Sequence, residues 1–316
     1  YVLGAQASRV PDRMSMAGDG HAGGHARHAA AAAQSVSVAE LTGPRSALPD
    51  RYFYLEAQKT MVTLPSGEQR EAWTFNGELP GPELRVKEGE LVEVALYNRD
   101  VDAGVTIHWH GIDVPNAEDG VAGLTQDAVM PEQLHIYRFV ADEAGTYWYH
   151  SHHQSSRQVQ MGLYGVIIVE PDEAPAQPPL DLTVMLHEWQ TENGTTVTLG
   201  GPDRLQRVKA EPGTPVRLRF VNAENLPASI YVSGVPFRVA AIDGADLHEP
   251  GDLTGARLEL APGERYEVAF EADNPGIWMD HCHNLDHAAV GMSAHVAYEG
   301  YYSPYEIGGA TVNQPE

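Results

Sequence analysis

A chain of 316 residues and 34.4 kDa is long enough for two domains of ordinary size, each with its own core. Hydrophobic residues make up 42% and charged residues 20%, and no apolar run approaches the roughly 18 residues that cross a bilayer, which excludes peptide-sized scaffolds and membrane-spanning helices. Forty-four acidic against 20 basic residues give a net charge of −24, a surface that repels a phosphate backbone and excludes nucleic acid as a partner.

Residues 1–48 are rich in Ala, Gly, Ser and His, with Met14-Ser15-Met16 followed by His21, His25 and His28. Their low apolar periodicity predicts a flexible arm whose thioethers and imidazoles can hold a soft or borderline metal ion. From Arg51 onward the texture changes to short alternating runs, such as Leu91-Val92-Glu93-Val94-Ala95-Leu96 and Val216-Arg217-Leu218-Arg219-Phe220-Val221, separated by Gly, Pro and Asn turns. Alternation at period 2 with no helical stripe predicts an all-β chain of Greek-key sandwiches or barrels.

The pattern occurs twice. Gly89, Val92, Val94, Leu96 and Asn98 match Gly213, Val216, Leu218, Phe220 and Asn222; Phe139 to His152 match Phe270 to His283 at an offset of 131. Two homologous β-domains follow, at 49–172 and 173–300, with a tail at 301–316 and a boundary in the Pro-rich stretch Pro171 to Pro179.

The single cysteine, Cys282, cannot form an internal disulfide and lies between two histidines. Two His-X-His pairs precede it, His108-Trp109-His110-Gly111 and His150-Ser151-His152. In a strand, residues i and i+2 point to one face, so each pair aims two imidazoles in one direction. The third pair, His281 and His283, stands at the repeat-equivalent place and continues to His287 and Met292. Thiolate, imidazole and a weak thioether are the ligand set of a blue copper centre, suited to one-electron transfer. With Cys282 on that copper, His281 and His283 face the other way, so the backbone joins two metal centres.

These residues resemble the multicopper oxidases, the laccase-like family built from cupredoxin domains, from about Leu55 to Tyr302. Three of the family's four copper motifs are matched, at 108 to 111, 150 to 152 and 281 to 292. The resemblance implies that His108 belongs to a type 2 copper, that His110, His150, His152, His281 and His283 hold a type 3 pair, and that Cys282, His287 and Met292 bind a type 1 copper. Asn116-Ala117-Glu118-Asp119-Gly120 is similar to the stretch that brings an acid near the oxygen-reducing cluster, which makes Asp119 a candidate to pass protons.

The family's remaining motif, His-X2-His-X-His-Gly, falls in the second domain on Ala228, Tyr231 and Ser233 when Ile230-Tyr231-Val232-Ser233-Gly234 is set against Ile107-His108-Trp109-His110-Gly111. One type 1 imidazole and two cluster imidazoles are therefore missing, and the stretch is similar to the copper-free middle domain of three-domain members. His153, His187, His248, His295 and the arm histidines are the residues that can substitute. Ala288 follows His287 where some relatives place a carboxylate. Trp148, Trp278, Tyr147 and Tyr149 read as packing beside the ligand pairs.

The resemblance implies a copper-dependent oxidase that takes single electrons from a phenolic, aromatic-amine or metal-ion donor and reduces O2 to water. A copper-binding or electron-transfer protein with a degenerate cluster, or a nitrite-reductase-like enzyme, is the alternative. In the family the first domain's histidines face the His-Cys-His strand of the last domain, and a short linker favours that contact between subunits, so a homotrimer is expected. The chain starts at Tyr1 without a charged, apolar, small-residue signal pattern. Localisation is therefore read from the cofactor: copper is loaded more readily outside the cytosol, and an extracytoplasmic protein is expected.

Overall fold

The computed structural model describes residues 36–64, 68–191, 194–199, 206–282 and 293–305. The expected arm, His283, His287 and Met292 lie outside the described residues.

The first half carries eight strands: β1 Arg51–Thr63, β2 Gln69–Phe75, β3 Gly81–Lys87, β4 Leu91–Asn98, β5 His108–His110, β6 Gln133–Val140, β7 Gly145–His150 and β8 Tyr164–Glu170. They form two sheets, ordered β2-β1-β4-β6 and β3-β8-β7-β5. The second half continues with β9 Leu180–Thr191, β10 Gly194–Leu199, β11 Gln206–Ala210, β12 Thr214–Asn222, β13 Ala228–Tyr231, β14 Arg238–Ile242, β15 Ala245–Asp246, β16 Arg257–Leu260, β17 Arg265–Ala272, β18 Ile277–Cys282 and β19 Ser293–Tyr298. Its sheets are ordered β10-β9-β12-β17-β14-β15 and β11-β19-β18-β13-β16. Strand for strand, the second pair of sheets repeats the first and adds β14, β15 and β16. The fold is all-β and cupredoxin-like.

The repeat holds at the level of register. Val92 stands opposite Phe139 across β4 and β6, and their repeat equivalents Val216 and Phe270 stand opposite each other across β12 and β17. In both halves the first and third of these strands run parallel, β1 to β4 and β9 to β12, which a hairpin cannot produce and a Greek-key crossover can.

Sheet β3-β8-β7-β5 is covered on both faces, and its sequence reflects that. Along β7, Tyr147 and Tyr149 enter the first-half core with Trp109, Phe139 and Ile167. Trp148 turns the other way and packs with Tyr164, Val166, Ile168, Met185, Trp189 and Val221 in a core shared by the two halves. Each large apolar side chain buried there contributes about 1.5–3 kcal/mol. All seven residues of β8 but Glu170 are buried, the near-continuous apolar run expected of a strand enclosed on two sides.

A polar network crosses the same junction. The Arg219 guanidinium donates to Glu267 Oε1 at 2.6 Å, to the Thr146 hydroxyl at 2.6 Å and to Asp181 at 2.7 Å and 3.1 Å. Thr146 donates in turn to Glu267 Oε1 at 2.6 Å, and Arg85 reaches Asp181 from the first half at 3.1 Å. Arg219 and Glu267 are both 4% exposed, so this pair is stable only because its hydrogen-bonding capacity is filled.

Candidate metal centre

The histidines arise where β5 pairs with β7. His108 stands opposite His150, Trp109 opposite Tyr149 and His110 opposite Trp148. Period 2 does the rest: Trp109 is fully buried in the first-half core, which turns His108 and His110 out to the face that carries Trp148 and His150. His152 lies two residues beyond the end of β7, and its ring centroid is 5.1 Å from that of His108 and 6.0 Å from that of His150. The sequence-predicted four of the first half are thus brought together.

His108, His110 and His150 place ligand atoms within 4.8 Å of one another. His110 Nδ1 and His150 Nε2 are 3.3 Å apart. Two ligand nitrogens about 2.0–2.1 Å from a shared ion stand about 3.3 Å apart at a tetrahedral angle, so this pair fits a metal ion.

The other ring nitrogens are held by backbone. His150 Nδ1 lies 2.9 Å from the Ser151 carbonyl, leaving Nε2 as the ligand atom. His108 Nδ1 lies 2.9 Å from the Asp119 carbonyl and 3.0 Å from Asp119 Oδ1, which turns its Nε2 toward the other rings. Such partners fix a ligating imidazole's tautomer and orientation. Gly120 permits the Asp119 contact: its φ is 71° and an added Cβ would lie 1.7 Å from the Ile107 carbonyl oxygen.

Burial lowers the imidazoles' basicity. Desolvation, with smaller effects from His108 and His110, holds His150 at about 3, and desolvation with the Arg265 charge holds His110 at about 4. Both are neutral near pH 7 and present lone pairs. Trp148 covers His110 and His150, with ring centroids 4.9 Å and 4.2 Å away.

The histidines open into a cavity of about 290 Å³ whose far wall is second-half chain: Ala223, Glu224 and Asn225 after β12, and Pro262 and Gly263 before β17. Gly263 approaches so closely that an added Cβ would lie 3.1 Å from His110 Cε1. Arg265 anchors that wall, donating to the Thr146 carbonyl at 3.1 Å and the Asp243 carbonyl at 2.9 Å.

His281 and Cys282 close β18, where they stand opposite Tyr231 and Ile230 of β13. The pairing Tyr231 to His281 occupies the repeat place of His108 to His150. Ala228 is buried in the second-half core. Among the candidate substitutes, His187 is packed between Tyr164 and Trp189 away from the cluster, and His248 is exposed. Glu224 and Arg265 carry no motif or spacing that sequence reading could have used.

Comparison with known proteins identifies the lineage. Two multicopper oxidase profiles match, over residues 56–174 and 174–300. A copper resistance protein A homolog of Pseudomonas syringae pv. tomato is 40% identical over 156 residues, 49% of this chain and 26% of that protein. The blue copper oxidase of Nitrosomonas europaea superposes with a TM-score of 0.73 at 31% identity, covering 79% of this chain and 86% of that one. The multicopper oxidase mgLAC gives 0.73 at 28%, covering 81% and 88%. The chain belongs to the multicopper oxidase family, and copper is the metal that membership implies. The match spans about a quarter of the length of the first two curated relatives, 26% and 24%. Among the described residues no helix is long and apolar enough to cross a membrane.

Proposed function

We propose that this chain is a laccase-like oxidase, taking single electrons from a phenolic, aromatic-amine or metal-ion donor and passing them to O2, which leaves as water. The observation that carries this reading is the cavity itself: four imidazoles, of which burial keeps His110 and His150 neutral, gathered at the junction of two cupredoxin-like halves, in a chain that also holds His281-Cys282-His283. Cys282, His287 and Met292 would bind a type 1 copper, His108 a type 2 copper, and His110, His150, His152, His281 and His283 a type 3 pair. Bound copper supplies the one-electron redox chemistry that the side chains lack. The chain's own part is orientation, insulation and proton handling. Asp119 fixes the His108 ring and can hold a proton at Oδ1, and Trp148 excludes water from one side of His110 and His150. The peptide bonds joining Cys282 to its two histidine neighbours give the shortest covalent link between the two ligand groups.

The reading takes 49–172 and 173–300 as two domains. Within one chain, the wall facing the four histidines is built from residues 223–225 and 262–263, which contain no histidine. This supports completion of the cluster by His281 and His283 of another copy in a homotrimer; light scattering that finds only monomer with copper bound would sink it. Export from the cytosol goes with the copper, and an export signal in the encoded precursor is its test.

The missing imidazoles at Ala228, Tyr231 and Ser233 favour a second reading, a copper-binding or electron-transfer protein, or a nitrite-reductase-like enzyme, with fewer metals. Metal analysis with an absorption spectrum separates the two. About four coppers per chain, a blue band and oxygen uptake with a phenol, an amine or Cu(I) support the oxidase; one or two coppers without oxygen uptake support the alternative.

A further inference from the structure

Two cavities meet at the loop after β12. One is the histidine cavity; the other, about 150 Å³, is lined by Gln160, His187, Glu188, Asn225 and Leu226, and Glu224 lines both. Asn225 is exposed and Leu226 is 54% exposed, so the smaller cavity reaches solvent.

Glu224 is an unusual residue to find between them. It is 6% exposed, and neither carboxyl oxygen has a hydrogen-bond partner among the described residues. Only its backbone is held, the N–H donating to Asn222 Oδ1 at 3.0 Å. A buried carboxylate without partners is costly, and the chain meets that cost by keeping the group neutral: burial, and then the like charge of Glu188, push its carboxyl up to about 8. The titratable groups facing it are Glu188 and His187 of β9, Tyr164 of β8, whose buried hydroxyl also lacks a partner, and the cavity histidines. No motif marks this residue, and it lines the same cavity as His108, whose Nδ1 is held by Asp119.

We propose that Glu224 carries protons from the solvent-facing cavity into the histidine cavity, a role that rests on the oxidase reading above. Reduction of one O2 takes four electrons from the donor and four protons and yields two waters. Each passage breaks the carboxyl O–H bond on the histidine side and remakes it with a proton drawn from solvent past Glu188, so Glu224 is returned unchanged. Its basicity lies close to working pH, where a relay both gives and recovers a proton readily.

The test is Glu224→Gln in the full copper-loaded chain, read in three ways. Infrared spectra of the wild type should contain a protonated carboxyl band that persists at pH 7, shifts in D2O and is absent from the variant. Copper content should be the same in both. Oxygen uptake with saturating donor should fall about a hundredfold in the variant, with the alkaline limb of the pH profile lost. A wild type without the band overturns the proposal whatever the activity. A variant as fast as wild type overturns it, and a variant that loses copper makes Glu224 a ligand or a structural residue instead. A wild type that binds copper and shows the band but reduces no oxygen overturns the oxidase reading, and the relay with it.

Discussion

Across β5 and β7, His108 faces His150; across β13 and β18, in the same places of the repeat, Tyr231 faces His281. Backbone register has survived where the ligand set has not. The residues that keep the register point inward: Trp109 in the first half and Val232 in the second are fully or almost fully buried in their cores. Outward positions carry no such duty, so a histidine there can be exchanged for tyrosine or serine without disturbing the ladder. Strand pairing and metal binding are thus separate properties of the same few residues.

The sharpest break of this comparison is Cys282→Ser. A hard oxygen replaces a soft sulfur with little change in volume, so the fold and the first-half histidines should persist while blue colour and donor oxidation vanish together. An unchanged oxidation rate with copper still bound would show that electrons enter elsewhere.

Next in size is the pair His150→Ala and Tyr231→Phe. His150→Ala should lower copper affinity of the cavity by more than about a hundredfold, beyond what loss of a merely supporting residue costs. Tyr231→Phe, at a partly exposed place on the second ladder, should leave copper binding and activity near wild type. Equal losses from both, measured by metal titration, would mean that the second half still contributes a ligand there.

The junction itself can be broken without touching a histidine. Arg219→Met leaves Glu267 and Asp181 with a lost partner in a buried place, and should cost about 3 kcal/mol in a denaturant titration. A comparable change at exposed Arg257, which pairs with exposed Glu259, should cost less than about 1 kcal/mol.

A fourth test contrasts two kinds of buried histidine. His187 is 2% exposed, packed by Tyr164 and Trp189, and burial holds it at about 4 against an ordinary 6.5. Below pH 6.5 the unfolded chain binds a proton that the native chain refuses, so stability is full above that value, falls as pH drops, and is lost through about pH 4. The span corresponds to a loss of order 3 kcal/mol. His187→Gln should flatten that part of the stability curve for the copper-free protein, and a curve of unchanged slope would show that the loss comes from other histidines.

Much of this molecule was legible in its sequence, for reasons that differ by residue. The strands could be read because Val92, Val94 and Leu96, and again Val216, Leu218 and Phe220, alternate at the period of a pleat. The placing of His108 and His110 together could be read because i and i+2 of a strand share a face; His152 lies beyond the end of β7 and reaches the same cavity outside that rule. The two-sided burial of β7 could not, since Trp148 and Tyr149 are equally apolar and alternation does not say which neighbour each will meet. Arg265 and Glu224 were invisible for another reason: their importance comes from burial against chain distant in sequence, Thr146 for Arg265 and Gln160, His187 and Glu188 for Glu224, which no local spacing encodes.

The smallest effect belongs to Asp119, and it asks how much of the first half's advantage lies behind the ligands. His108 Nδ1 is within reach of two Asp119 acceptors, the backbone carbonyl at 2.9 Å and the carboxylate at 3.0 Å. Asp119→Asn removes the negative charge but leaves the carbonyl, so the ring should keep its orientation and lose only the electrostatic part of its support. Copper affinity should then fall about tenfold, the low end of what such a partner contributes. If Asp119 also passes protons, oxygen uptake at saturating copper should fall further than affinity does, and the excess should grow as pH rises and protons become scarce. A loss confined to affinity would make Asp119 a positioning residue alone, and would leave Glu224, on the opposite wall, as the acid that serves the cavity.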